Sequence, residues 1–328
     1  MTSILYLGGT GTISAACVRR SVERGHEVTV INRGSGRRGI PDEVTVVTAD
    51  VRDSAAMTAA LGGRRFDAVA DFLSFSPADV AANLEVFGET GQYVLISSAS
   101  AYQKPAAHLP VTEKTPLDNP FWQYSRDKIA CEELLRSASA DRGIPFTIVR
   151  PSHTYDEKMI PTLGRWNDIA RMRAGRPVVV HGDGTSLWTI THADDFATAF
   201  TGLIAHPDAI GEDFTITGLH APTWNQIYGW LADAAGIEAP ELVHVASEAI
   251  GAIVPDLGPT LVGDKAHSSV FDTSKVQALV PEFATTVAFD EGARRILAYY
   301  DTHPEAQIVD ADLDAQFDRL VAYARSAR

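Results

Sequence analysis

The sequence predicts an α/β fold, in which a doubly wound parallel sheet is joined by a smaller, mainly helical domain. Two observations lead to this fold class. Short apolar strands alternate with helical patterns through the first half of the chain, and a glycine-rich turn joins the first strand to the first helix. The strand candidates are residues 4–7, 27–32, 44–48, 68–72, 93–97 and 147–150, with helical patterns at 13–24, 55–61, 77–87 and 120–140. An all-α or α+β chain would not place six strands in this order, so we expect right-handed βαβ units.

The pattern changes after Arg150-Pro151. Strands are predicted at 177–181 and 214–217 and a helix at 194–205, whereas helices dominate from residue 222 and residues 251–263 receive no assignment. We therefore expect residues 1–155 to form the first domain, with 182–217 returning to it. Residues 156–181 and 218–328 would form a second domain that binds the substrate.

Composition limits the classes of function. Apolar residues make up 45% and charged residues 21% of the 328 residues, as in an ordinary globular protein. The formal net charge of −14 repels nucleic acid and anionic membranes, so neither is an expected partner. No stretch has the roughly 20 apolar residues of a membrane helix and no leader precedes the first strand, so we expect a cytoplasmic protein. Cys17 and Cys131 lack metal-ligand spacing; we expect both to be buried and no metal to be bound.

The glycine-rich turn, residues 8–14, has the context of a dinucleotide site. Glycines allow a tight turn and a close approach of backbone amides to a pyrophosphate, and the following helix offers free N–H groups at its positive end. Ser14 stands where a third glycine is usual, and it is small enough for close helix–strand packing. An ordinary turn is the alternative, but a strand before and a helix after favour dinucleotide binding. The binding residues would be Gly8, Thr10, Gly11, Thr12 and Ile13.

The second strand ends at Asn32-Arg33, about 20 residues past Gly11, where an acidic residue usually binds the adenosine ribose. An acid would repel a 2′-phosphate, whereas a guanidinium binds one through charge-assisted forked hydrogen bonds. Arg37 and Arg38 follow closely. The sequence therefore favours NADP(H), with NAD(H) still possible and a solvated basic loop as the alternative interpretation.

Tyr124 and Lys128 lie four residues apart, on one face of the helix predicted at 120–140, with Asn119 as its cap. A free phenol titrates near ~10 and is a poor acid or base at neutral pH, but a nearby ammonium lowers its pKa. This spacing alone is common on solvated helices. Its position is more telling, because the helix follows a strand that ends in the hydroxyl-rich segment 97–102, and ligands bind beyond the carboxyl ends of such strands.

With these motifs the chain resembles the extended branch of the short-chain dehydrogenase/reductase superfamily, the NAD(P)-dependent epimerase/dehydratase family. The resemblance spans roughly residues 4–217 and rests on the turn 8–14, on Asp50, on the segment 97–102, on Tyr124-x-x-x-Lys128 and on Arg150-Pro151. It implies a Rossmann domain that binds the dinucleotide.

The resemblance also implies roles for individual residues. Ser98 would be the catalytic hydroxyl and Tyr124 the acid/base, while Lys128 would hold the ribose and lower the pKa of Tyr124. Further cofactor contacts would come from Asp50, Val51, Phe72, Leu73, Ser74, Pro151 and His153. For Asp50, a cap on the helix at 55–61 is an equally open interpretation.

Three departures from the family pattern narrow the reaction. Ala99 and Ser100 stand where dehydratases of the family carry an Asp-Glu pair, so dehydration is not expected. Trp188 stands near the position of an arginine that binds a substrate diphosphate, which an indole cannot neutralise. The segment 155–157 replaces the usual Tyr-Gly-Pro.

The leading hypothesis is an oxidoreductase or epimerase that transfers hydride at a carbonyl or alcohol carbon of a small molecule. A nucleotide-sugar 4-epimerase is one alternative, with Arg165, Arg171 or Arg173 on the diphosphate. A non-catalytic dinucleotide- or RNA-binding protein is another, because the turn 8–10 and residues 32–34 also resemble chloroplast stem-loop RNA-binding relatives. A homodimer through helices 77–87 and 120–140 would suit the family.

Several aromatic side chains have two open interpretations. His153 and His192 are candidates for an additional acid or base, although a structural role is more common for histidines beside a sheet edge. Trp122, Trp166 and Trp188 could line an apolar pocket or simply pack in the core.

Overall fold

The computed structural model describes residues 1–34 and 39–326, so the predicted roles of Arg37 and Arg38 lie outside the described residues. The strands are β1 Ser3–Leu7, β2 Glu27–Asn32, β3 Thr45–Thr48, β4 Ala68–Asp71, β5 Tyr93–Ile96, β6 Phe146–Pro151, β7 His153–Tyr155, β8 Val178–His181, β9 Ile190–His192, β10 Glu212–Ile216 and β11 Leu242–Val245. The α-helices are α1 Thr12–Glu23, α2 Ser54–Leu61, α3 Pro77–Phe87, α4 Gln123–Arg142, α5 Trp166–Arg173, α6 Ala193–Leu203, α7 Trp224–Ala234, α8 Ser247–Ile253, α9 Gly258–Thr260, α10 Ser274–Leu279, α11 Phe289–Thr302 and α12 Ala311–Ser326.

Seven strands form one sheet in the order β10-β6-β5-β4-β1-β2-β3, and every pairing in it is parallel. This confirms the predicted doubly wound α/β fold. The order reverses beside β1, so the carboxyl ends of β1 and β4 border the crevice where ligands of such sheets bind.

Both faces of the sheet are buried, which explains why its strands are continuous apolar runs. Side chains of β1 alternate between the two layers. Ile4 and Tyr6 join the core beneath α1 and α6, whereas Leu5 and Leu7 join the core beneath α3 and α4. Cys17 and Cys131 are buried free thiols in these two layers, as expected.

Outside the main sheet, β8 pairs with β11 and β7 pairs with β9. The predicted strand 177–181 therefore does not extend the large sheet. It packs instead with α5, α7 and α11 around a second aromatic core. The segment that follows β9 runs back through α6, which packs on α1, to β10 in the main sheet. The domain boundaries themselves stay a prediction.

The structure differs from the sequence prediction at the start of α4. Helix α4 begins at Gln123, and Asn119 is not its cap. The Asn119 amide is buried and donates to the carbonyl oxygens of Ser100 and Gly263, both at 2.7 Å. These partners are distant in sequence, which is why capping statistics could not reveal them.

The unassigned segment 251–263 contains the end of α8, a short helix at Pro255–Leu257, α9 and the start of a π-helical turn at Leu261–Lys265. The described helices include none with the length and apolar character of a membrane span. Within residues 1–34 and 39–326, no cluster of histidine, cysteine and carboxylate side chains is arranged to hold a metal ion.

Candidate active site

The glycine-rich turn lies between β1 and α1, at the reversal point of the sheet. Gly8 has φ +79°, and a Cβ on it would lie 2.8 Å from Cγ of Leu73. The Gly11 N–H donates to Ser14 Oγ at 3.0 Å, so Ser14 stabilises the start of α1 at the position where a third glycine is usual. Thr10, Gly11 and Thr12 line a cavity of about 550 Å³, and the first turn of α1 directs free N–H groups into this region.

Ile13 differs from the rest of the turn. Its side chain packs against the core beneath α1 and α6, so only its backbone is available to a ligand. Binding of a pyrophosphate by this residue would use the amide alone.

Asn32 ends β2 and faces a second cavity, of about 540 Å³, together with Gly8, Thr10 and Arg33. The Asn32 Oδ1 atom accepts from the Gly34 N–H at 2.9 Å. Its Nδ2 is buried and has no hydrogen-bond partner among the described residues. A buried amide donor without a partner is costly, and a ribose or phosphate oxygen would satisfy it. The Arg33 side chain is exposed beside it.

Asp50 and Val51 line the same cavity. The helix-cap interpretation of Asp50 is wrong, because Asp53 is the cap of α2 and accepts from the Ala56 N–H at 2.9 Å. Asp50 instead accepts from the N–H of Arg52 at 3.0 Å. Arg52 also lines this cavity, and the sequence reasoning missed it because no motif marks it.

The segment 72–74 follows β4, and its three side chains diverge. Phe72 points into the core, 5.9 Å from the ring of Tyr6, so its side chain does not lie along the cofactor region. Leu73 lines the cavity beside Gly8. Ser74 is buried and donates its hydroxyl to Asp71.

Asp71, at the end of β4, holds the segment 72–74 through hydrogen bonds. Its carboxylate is fully buried and accepts from the Leu73 and Ser74 amides, both at 2.9 Å, and from Asn83 Nδ2 at 3.1 Å. The Tyr93 hydroxyl donates to it as well. The sequence reasoning missed Asp71, since an acid inside an apolar strand has no local signature.

Ser98 follows β5 and caps a short 3₁₀ helix, with its Oγ accepting from the Ser100 N–H at 3.1 Å. Its Oγ also lies 2.9 Å from Ser100 Oγ, which accepts from Ser125 Oγ at 2.9 Å. Ser125 is on α4, so a chain of hydroxyls connects the end of β5 to this helix.

Tyr124 lies on the first turn of α4, with its ring 4.8 Å from Trp122 and 6.4 Å from Phe75. Burial raises the pKa of its phenol above the usual 10.0, and a hydrogen bond with Ser98 partly offsets the rise. The expected lowering of this pKa by Lys128 is therefore not observed. The Tyr124 side chain is a neutral proton donor at physiological pH in this structure.

Lys128 explains the difference. Its ammonium is 2% exposed and donates to the carbonyl oxygens of Ser74 at 2.7 Å and Ile96 at 2.8 Å. Burial lowers its pKa, while the charge of Asp71 acts in the opposite direction. The ammonium thus joins the ends of β4 and β5, and two of its three protons are directed at main-chain oxygens.

Ser98 and Tyr124 line one cavity of about 260 Å³, and Pro151, His153 and Trp188 line it as well. The Trp188 Nε1–H donates to His153 Nδ1 at 2.9 Å. Burial lowers the pKa of His153 to about 3, so this imidazole is neutral and carries its proton on Nε2. Its part as an additional acid is therefore not supported at neutral pH.

Met159 connects the cavities, because it lines both the one with Ser98 and the one with the glycine-rich turn. Its sulfur lies 3.9 Å from Thr12 Oγ1. The two cavities are therefore neighbours on one face of the molecule.

The three arginine candidates from the sequence do not line the cavity with Ser98. Arg171 is buried in ion pairs with Asp314 and Asp318, and Arg173 pairs with Asp301. Arg165 lines the cavity beside the glycine-rich turn.

Two further aromatic candidates, Trp166 and His192, have structural roles. Trp166 stacks on Tyr300 with ring centroids 4.8 Å apart, inside the second core. His192 caps α6 and lies 3.3 Å from Glu157. Trp122 and Trp188, by contrast, both line the cavity with Ser98.

The same cavity includes Asp264 and Lys265, which the sequence reasoning missed. They come from the π-helical turn between α9 and α10, in the segment to which no element was assigned. No local pattern connects residue 265 with residue 98, so only the folded chain reveals that they share a wall.

Comparison with known proteins identifies the family. A model of the NAD dependent epimerase/dehydratase family matches residues 4–217. The 2'-dehydrokanamycin reductase of Streptomyces kanamyceticus is 31% identical over 238 residues, which are 71% of this chain and 66% of that protein. The chloroplast stem-loop binding protein of 41 kDa b from Arabidopsis thaliana is 30% identical over 254 residues, 74% of this chain and 65% of that protein. The matches thus span just under two thirds of these relatives.

Among solved structures, a UDP-glucose 4-epimerase from Bifidobacterium longum, in complex with NAD+ and UDP, has a TM-score of 0.74 and 20% identity. The match covers 93% of this chain and all of that one (100%), and it shows the same fold. Because the family model covers more than half of the chain, the chain belongs to the NAD dependent epimerase/dehydratase family, as the motifs at residues 8–14 and 124–128 implied.

Proposed function

We propose that this protein is an NADP(H)-dependent oxidoreductase or epimerase of the extended short-chain dehydrogenase type. It transfers hydride at a carbonyl or alcohol carbon of a small molecule, with Tyr124 as acid/base. One observation carries the proposal: Ser98 and Tyr124 share a cavity that adjoins the glycine-rich turn through Met159.

The residues around the turn fit a dinucleotide. The amides of the first turn of α1 suit a pyrophosphate, and the unpartnered Nδ2 of Asn32 suits an adenosine ribose oxygen or its 2′-phosphate. Arg33 and Arg52, at the rim of the same cavity, add positive charge and favour the phosphorylated cofactor. Asp50 and Val51 would contact the adenine.

When bound, the reduced nicotinamide supplies hydride to the substrate carbon. The residues of this chain then act on the substrate oxygen. Tyr124 donates the phenolic proton to it, and the Ser98 hydroxyl donates a hydrogen bond as negative charge develops. Pro151 and His153 line the same cavity, where they would meet the carboxamide.

Lys128 has two parts in this proposal. Its two main-chain bonds fix the spacing between the ends of β4 and β5. Its third proton is available to a ribose hydroxyl, and the positive charge stabilises any phenolate formed at Tyr124. Leu73 and the Ser74 backbone would line the path of the cofactor, with Phe72 contributing only its main chain.

A sugar diphosphate does not fit the cavity well. Trp188 presents an indole, and Arg171 and Arg173 are already paired with carboxylates. Dehydration likewise lacks its usual acid pair, since Ala99 and Ser100 follow Ser98. A small carbonyl or alcohol packed against Trp188 is the better substrate.

Two relatives bear on the choice between enzyme and binding protein. The 2'-dehydrokanamycin reductase supports a reductase. The stem-loop binding relative keeps an RNA-binding function open as the second candidate. The net charge of −14 and the presence of Ser98, Tyr124 and the buried Lys128 favour the enzyme.

The test has two arms. Protein purified with its ligands retained is examined by mass spectrometry for a bound dinucleotide, and NADPH and NADH are then titrated by fluorescence. We expect tighter binding of NADPH. Equal affinities would refute the NADP(H) preference, and saturable turnover of a UDP-sugar at enzyme-like efficiency would refute the substrate assignment. The cytoplasmic location and a homodimer through α3 and α4 remain parts of the proposal.

A further inference from the structure

We infer that the substrate carries a carboxylate, which the ammonium of Lys265 binds while the carbonyl or alcohol reacts at Ser98 and Tyr124. This inference rests on the proposed function and names its substrate class: small oxo acids and the corresponding hydroxy acids. The charges around the cavity of about 260 Å³ support this assignment.

The titratable groups lining this cavity are Tyr124, His153, Asp264 and Lys265. Tyr124 and His153 are both neutral at pH 7, because burial raises the pKa of the first and lowers that of the second. Asp264 forms an ion pair with Lys104. The Lys104 side chain is 5% exposed, and its ammonium lies 2.9 Å from Asp264 Oδ1. Lys104 thereby compensates the charge of Asp264. The ammonium of Lys265 then gives the cavity a net positive charge.

Lys265 has only a neutral partner among the side chains of the described residues. Its Nζ donates to Thr260 Oγ1 at 2.8 Å, and no carboxylate there lies within ion-pair distance of it. A half-buried ammonium without a counter-ion is costly, and its pKa is lowered accordingly by burial. A ligand carboxylate would supply both the counter-ion and the missing acceptors.

The ammonium is also held in place before any ligand arrives. Its Nζ lies 5.9 Å from the ring of Trp122 and 5.7 Å from that of Trp188, within the range of cation–π attraction. The main chain at Lys265 is fixed too, since its carbonyl oxygen accepts from His181 Nε2 at 3.0 Å and from Trp224 Nε1 at 3.3 Å. The π-helical turn that carries Lys265 is a geometry found often at functional sites.

The remaining wall limits the class of anion. Apart from Lys265 it offers mainly hydroxyls, such as Ser152 and Thr189, and the two indole faces. A diphosphate would need several cations or guanidinium forks, whereas a single carboxylate matches a single ammonium. The indoles suit the apolar carbon skeleton between the carboxylate and the reacting carbon.

The reaction balances as a reduction. The ketone carbon gains hydride from NADPH, and its oxygen gains the phenolic proton of Tyr124. The Tyr124 phenolate then takes a proton from water, so the net products are a hydroxy acid and NADP+. The carboxylate is unchanged throughout, so Lys265 is a specificity-determining residue that positions the substrate.

The experiment uses a series of open-chain and cyclic oxo acids with increasing separation between ketone and carboxylate, each paired with its methyl ester. NADPH oxidation is followed with the wild type and with Lys265→Met, Lys265→Arg and Lys114→Met. Lys114 is exposed, which makes it the matched control for loss of a lysine charge. Binding of each acid to the NADPH complex is measured separately by tryptophan fluorescence, because Trp122 and Trp188 line the cavity.

We expect the wild type to prefer at least one acid over its ester. Lys265→Met should reduce kcat/KM for the acid by about ten- to a hundredfold, as for a lost hydrogen bond to a charged group, and should affect kcat/KM for the ester much less. Lys265→Arg should keep much of the preference, and Lys114→Met should keep all of it. Amine-bearing ketones should be poor substrates of the wild type and improve in Lys265→Met.

The outcomes separate the two proposals. Esters turned over as well as their acids, or an acid preference that survives Lys265→Met, would overturn the role of Lys265 and leave the reductase standing. Acids that bind only when Lys265 is present but are never reduced would support Lys265 and contradict the reductase. If no acid binds saturably to the NADPH complex, the inference about Lys265 is wrong.

Discussion

Replacing Tyr124 with phenylalanine tests the proposed chemistry most directly. The ring keeps its contacts with Trp122 and Phe75, so packing should survive. The lost hydroxyl leaves no stranded partner, because Ser98 Oγ still accepts from the Ser100 N–H and contacts Ser100 Oγ. We therefore expect a change in unfolding free energy of only about 0.5–1.5 kcal/mol, the usual net value of one hydrogen bond.

Turnover should respond very differently. Loss of a general acid reduces rates by roughly 10²–10⁴-fold, which corresponds to about 2.7–5.4 kcal/mol of transition-state stabilisation. NADPH affinity should stay near the wild-type value, because Lys128 and the glycine-rich turn are untouched. The assay combines steady-state kcat on the best substrate, NADPH titration and urea unfolding for the same preparation.

Ser98→Ala is the matched variant for this experiment. It should also lower kcat, while Ser100 keeps its bonds to Ser125 and to Asn119 through the main chain. Near-wild-type kcat in Tyr124→Phe would refute the reasoning. The protein would then be a dinucleotide-binding scaffold whose chemistry lies elsewhere.

Three other predictions concern the cofactor, the glycine-rich turn and pH. Arg33→Ala should reduce the preference for NADPH over NADH by about 1–3 kcal/mol, or roughly five- to 150-fold in the ratio of dissociation constants, and an unchanged ratio by fluorescence titration would exclude Arg33 from the 2′-phosphate. Gly8→Ala should lower both the melting temperature and NADPH affinity, because the new Cβ would lie 2.8 Å from Leu73 Cγ; Gly25→Ala, with φ +76° and no atom within 4 Å, isolates the cost of the backbone angle and should leave NADPH binding intact. Burial raises the pKa of Asp168 to about 7, so the folded chain keeps a proton that the unfolded chain has lost, and the contribution of Asp168 to stability falls as pH rises from about 4 to 7. Asp168→Asn should remove this loss, at most about 1.4 kcal/mol per pH unit, and equal pH slopes of the unfolding free energy in variant and wild type would contradict it. His153, with its pKa lowered to about 3, changes stability in the opposite direction but equally in both proteins, so the difference between them isolates Asp168.

The sequence by itself determined those features whose residues lie close together along the chain. Alternating apolar strands and helices gave the parallel sheet, because a strand buried on both faces must be an apolar run. The turn at residues 8–14 and the pair Tyr124 and Lys128 were visible for the same reason: their members are neighbours along one turn or one helix face.

The tertiary structure decided whatever depends on distant partners. The expected lowering of the Tyr124 pKa was wrong, because the burial of the phenol and the two carbonyl partners of Lys128 are set by other strands. The sequence predicted Asn119 as a helix cap, but its amide donates to the carbonyl oxygens of Ser100 and Gly263.

The net charge of the substrate cavity is the property that the spacing of sequence motifs predicts least. Lys265 comes within reach of Ser98 only after the chain has crossed the sheet and returned, and Asp264 is neutralised by Lys104 from a third segment. The burial of side chains, their ion pairs and their net charge are properties of the cavity lining in the folded chain. They arise when side chains from separate segments exclude water together, and no single stretch of sequence contains them.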